Sequence, residues 1–111
     1  MSIKITVSNL VTFKVAGVDV TETGASEAFD FRVTARRLTS SEFVAAMERA
    51  DRNVQQFVQE IVVGWDGVVD DEGKPVPFSA DAFGQLLERR MRLAPMILRV
   101  YSDEAGGREK N

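Results

Sequence analysis

A chain of 111 residues, 44% apolar and 28% charged, has room for one domain with a modest core, and its net charge of −3 does not invite nucleic acid or an anionic membrane. It has no cysteine and no histidine; this removes disulfides, thiol chemistry, the commonest general base and the commonest metal ligand, and argues against an enzyme. No apolar run approaches the roughly 18 residues of a membrane span, and "MSIKITVSNL" lacks the long apolar stretch of a signal peptide, so a soluble cytoplasmic chain is expected.

The first third alternates as strands do. Ile3, Ile5 and Val7 stand against Lys4 and Thr6; Val11, Phe13 and Val15 stand against Thr12 and Lys14, with Asn9 as a break between them. Val18 and Val20 fall out of phase, which predicts a bulge or turn near Ala16-Gly17. After the turn-rich "TETGASE", Phe29, Phe31, Val33 and Ala35 occupy one face, and Asp30, Arg32, Thr34 and Arg36 the other. The reading is a long hairpin, about residues 11–20 against 28–37.

A helix starts next. Thr39 and Glu42 form a capping box, and Leu38 and Phe43 a hydrophobic staple around it. Phe43, Met47, Ala50, Val54, Phe57 and Ile61 recur at spacings of three and four. This predicts one long helix over residues 40–63, closed by Gly64.

The connector "WDGVVDDEGKPVP" carries turn signals at Asp66-Gly67 and Glu72-Gly73. Its acidic residues do not have the EF-hand spacing, and nothing around Asp70 and Glu72 marks a catalytic pair. It reads as a solvated turn whose Trp65 closes the core and needs a partner for its indole N–H. Ser79 then caps a helix, with Phe78 and Phe83 as its staple. The expected ending is a helix over 80–89, a break at "RMRLA" before Pro95, a helix over 95–103, and a flexible polar tail. The fold expected is α+β: an N-terminal antiparallel hairpin or three-stranded sheet against one long and two shorter helices. It forms one domain over 1–104, followed by a tail over 105–111.

The ordered set "FDFRVTARRLTSSEF", a polar helix, and "GWDGVVDDEGKPVPFSADAFGQLLERRMRLAPMILRVY" resembles the small tail assembly chaperones of long-tailed bacteriophages of the lambda-like and HK97-like kind, over about residues 11–101. The resemblance implies a protein, phage or prophage encoded, that acts in the host cytoplasm. Such a protein binds the tape measure protein, keeps it soluble, promotes tail tube assembly around it, and uses no cofactor or metal. Capture of amphipathic helices through apolar surface makes Trp65, Phe78, Phe83, Met91 and Met96 the candidate contacts. The family often makes a longer, frameshifted form that meets the tail tube protein. Glu109-Lys110-Asn111 can be encoded GAA AAA AAC, a slippery heptamer in frame. An open strand edge also predicts a homo-oligomer. Two other readings stand beside this one. The first is a structural minor tail or completion protein that stays in the virion. The second is a small nucleic-acid-binding regulator using Arg36, Arg37, Arg89, Arg90 and Arg92.

Overall fold

In the computed structural model, which describes residues 1–107, two long strands form the hairpin. They are β1 (Leu10–Val20) and β2 (Ser26–Arg36), in unbroken antiparallel register from Leu10 opposite Arg36 to Val20 opposite Ser26. Thr21 closes the turn: its carbonyl accepts from the Gly24 N–H at 2.9 Å and its hydroxyl from the Ala25 N–H at 3.1 Å. No bulge occurs at Ala16-Gly17. Val18 and Val20 stay in register and point to the uncovered face of the sheet. The irregularity lies instead between Thr34 and Ala35 of β2, against the third strand.

That third strand is β3 (Val62–Asp66), antiparallel to β2, giving the order β1-β2-β3. It comes from "VVGWD", not from the N-terminus. Residues 1–9 form no strand before Leu10, because the segment has no neighbour to pair with.

The expected long helix is two. α1 (Ser40–Glu48) begins at the predicted capping box, with the Thr39 hydroxyl accepting from the Glu42 N–H and the Glu42 carboxylate from the Thr39 N–H. α2 (Val54–Ile61) has its own box, between Asn53 and Gln56. A second N-cap inside the apolar stripe restarts the helix. The local ion pair of Arg49 with Asp51 at 2.8 Å holds the intervening turn, and the Arg52 guanidinium folds over the Phe57 ring and pairs with Glu60. Gly64 is therefore inside β3 and caps nothing. The fold is α+β with a three-stranded antiparallel sheet and four helices.

α3 (Ala80–Arg89) starts at Ser79, whose hydroxyl accepts from the Ala82 N–H at 3.0 Å. α4 (Leu93–Ala105) starts two residues before Pro95. The proline sits in the first turn, where its missing N–H has no intrahelical partner to lose. The helix reaches Ala105, two residues beyond the expected end, and takes in only the first residue of the proposed tail. Arg108–Asn111, with the codon argument, fall outside the described residues.

α2 and α4 cover one face of the sheet. Phe13, Phe31 and Phe57 are buried there with Ile97, Leu87 and Tyr101. Tyr101 stitches the layers: its hydroxyl accepts from the Leu38 N–H at 2.9 Å and donates to the Arg36 carbonyl at 2.8 Å. Tyr101→Phe keeps the ring and leaves both backbone groups unpaired. The expected loss is about 1–3 kcal/mol, measured by denaturant unfolding.

Candidate functional site

The five candidate contacts fall into two groups, near opposite ends of α3. Trp65, Phe78 and Phe83 form one aromatic cluster, with Trp65 edge-on to Phe78 at 5.2 Å and to Phe83 at 6.1 Å between ring centroids. The connector wraps this cluster. The Trp65 indole N–H donates to the Val76 carbonyl at 2.7 Å, and Val69 bridges to Pro75. The Asp70 carboxylate accepts from the N–H groups of Glu72 and Lys74, and Gly73 takes a φ of +80° that favours glycine. The acidic loop thus folds on itself as a tight turn. Phe83 is 1% exposed, inside the core, while Trp65 and Phe78 are half-buried.

Met91 and Met96 lie at the other end. Met91, in the link between α3 and α4, is 88% exposed; Met96 is half-buried. With Val18, Val20, Phe29 and Leu93 they line an open groove of about 300 Å³ between the hairpin tip and that link. Gly17 lets Phe29 and Met96 pack closely against the sheet. A Cβ at this position would lie 2.6 Å from the Phe29 ring and 3.2 Å from the Met96 methyl. Arg89, Arg90 and Arg92 rim the groove. Arg90 pairs with Asp19 at 2.9 Å and lies over the Phe29 ring at 5.9 Å. Sequence reasoning missed Val18, Val20 and Phe29 as groove residues. The signal was present in the valines at the hairpin tip, apolar yet out of phase with the core-facing residues of the same strand.

The five arginines do not gather. Arg36 and Arg37 are tied to backbone at the Leu10 end of the hairpin, on the carbonyls of Glu60, Ser8 and Ala105. Arg90 sits on Asp19, nine residues along β1, roughly 30 Å away at strand rise.

The electrostatics are quiet. Hydrogen bonds from the Thr39 backbone and then its hydroxyl hold the Glu42 carboxyl below its ordinary value. The Arg49 side chain, by hydrogen bonding, lowers Asp51 to about 2. Both are depressed carboxylates, so their contribution is present above the unfolded-state value and is lost as pH falls through the folded one. With no histidine in the chain, thermal stability is expected to be flat between about pH 8 and pH 5. It should decline from about pH 4 downward toward 2. Calorimetry across that range checks this.

Among the described residues no helix is long and apolar enough to cross a membrane. No curated protein and no solved structure matches the chain. A family model described as YdaY prophage protein matches residues 25–110. The match takes in β2, β3, all four helices and the methionine side of the groove, and with well over half of its length inside it the chain belongs to the YdaY prophage protein family.

Proposed function

We propose that this protein is a phage tail assembly chaperone that holds apolar helical segments of the tape measure protein, keeps that protein soluble and promotes tail tube assembly around it. The observation that carries the reading is the groove: an exposed Met91 beside Met96 and Phe29, bordered by the hairpin tip at Val18 and Val20. Methionine side chains repack around varied apolar partners. A groove of this size takes one or two large side chains from the apolar stripe of a helix. The arginine rim suits acidic residues flanking that stripe. Membership in a prophage family and the resemblance of the connector and helix order to tail chaperones support the same reading. In it the protein is not an enzyme, uses no cofactor, works in the bacterial cytoplasm, and reaches the tail tube protein through a longer frameshifted form.

Co-expression with the tape measure protein tests this. The expected result is that the tape measure protein moves from the insoluble to the soluble fraction and co-purifies with this chain. An unchanged soluble fraction contradicts the proposal. Mass spectrometry of purified particles separates it from a structural tail role; the chaperone is expected to be absent. The nucleic-acid reading loses its premise, since its arginines sit at two ends of the hairpin.

A further inference from the structure

The uncovered apolar residues of the N-terminus share a phase with the core. Ile3 is 95% exposed, Ile5 103% and Val7 66%. In an extended chain successive side chains alternate between faces, so these odd positions continue the face on which Val11, Phe13 and Val15 of β1 are buried. The segment is written as a half-buried strand, yet within one copy Ile3 and Ile5 are uncovered and Val7 only borders the cleft beside Leu38 and Tyr101. β1 offers the matching vacancy: among the described residues its sole strand neighbour is β2, so its outer edge carries unpaired N–H and C=O groups.

The segment is held away from its own β1 edge. The Arg37 N–H donates to the Asn9 carbonyl at 2.8 Å, continuing the β1–β2 ladder, and Arg37 Nε donates to the Ser8 carbonyl at 2.9 Å. A third bond from Arg37, from its Nη1 to the Ala105 carbonyl at 2.7 Å, anchors the guanidinium on α4. Folding back as a hairpin needs a turn at Ser8-Asn9 and breaks the first two bonds. Fully extended, residues 2–8 would span about 23 Å at strand rise, enough to reach along the edge of a second copy.

We infer that residues 2–8 form an exchanged strand that adds antiparallel to the outer edge of β1 in a second copy of this chain, with the two copies related by a two-fold axis. A two-fold exchange is reciprocal, so each arm fills the other copy's edge. Any antiparallel register that sets odd positions opposite odd positions puts Ile3, Ile5 and Val7 on the partner's core-facing side. The register that would set Lys4 opposite Lys14 is disfavoured by like charge. The exchange also removes the open edge that would otherwise template aggregation. It stands independently of the tape measure reading.

The test uses the full chain. Sedimentation of the wild type is expected to give a dimer at micromolar concentration. The double variant Ile3→Asp with Ile5→Asp is expected to be monomeric with an unchanged far-ultraviolet circular dichroism spectrum, since both residues are exposed in the single copy. Because the chain has no cysteine, Lys4→Cys takes one nitroxide label. Mixed with ¹⁵N-labelled wild type, it should broaden the amide signals of Val11–Val15 in the labelled copies. A wild type that stays monomeric into the millimolar range overturns the inference. So does a dimer that survives the double variant, or broadening confined to residues outside β1.

Discussion

Phe83→Ala is expected to lower unfolding stability by about 3–5 kcal/mol, the cost of removing a buried aromatic ring and leaving a cavity. Phe83 projects from the first turn of α3 into the core and meets Trp65 and Phe78 at 6.1 and 5.9 Å. The backbone bonds of the connector hold those rings in place, so the site cannot collapse freely around the lost volume. In a domain of this size total stability is about 5–15 kcal/mol, and the thermal midpoint should fall by about 15 °C or more. Trp65, the single tryptophan, reports the same event optically, and its emission should move to the red. A midpoint within a few degrees of wild type would mean that Phe83 is not part of the core.

The opposite pattern is expected in the groove. Val20→Glu combined with Met91→Glu should abolish solubilisation of the tape measure protein while changing stability by no more than about 1 kcal/mol, because exposed substitutions typically cost within about 0.5 kcal/mol each. Val20 and Met91 are both strongly exposed and both border the groove. Two carboxylates there put charge where an apolar side chain has to seat. The soluble tape measure fraction in co-expression, read beside the thermal midpoint, checks both halves. Retained solubilisation at unchanged stability removes the groove from the account.

Local chemistry was readable along much of the chain. The strand alternation of Val11–Val15 and Phe29–Ala35, the caps at Thr39 and Ser79, and the turns around Gly67 and Gly73 all formed where the residues put them, because each depends on neighbours a few positions away. What depended on distant partners was not readable. The stripe from Phe43 to Ile61 is continuous, but Asn53 and Gln56 cap a new helix inside it, and "VVGWD" turns to strand because the β2 edge is there to pair with. Ile3–Val7 alternates as well as β1 does, but it is held away from the open β1 edge of its own copy. Of the candidate contacts, Met91 and Met96 share a groove, whereas Phe83 went to the core and Trp65 to its wall. Periodicity marks a residue as apolar without saying which side of the core boundary it occupies.

Binding of an apolar helix in the groove between the hairpin tip and the α3–α4 link is the step on which the proposed function turns. It is tested most directly by titrating ¹⁵N-labelled protein with a peptide spanning one amphipathic helical segment of the tape measure protein and following every backbone amide. Saturable shifts are expected at residues 17–20, 29 and 89–96, together with the methyl signals of Met91 and Met96. The absence of shifts, or shifts gathered around Trp65 and Phe78 with the groove silent, would contradict it.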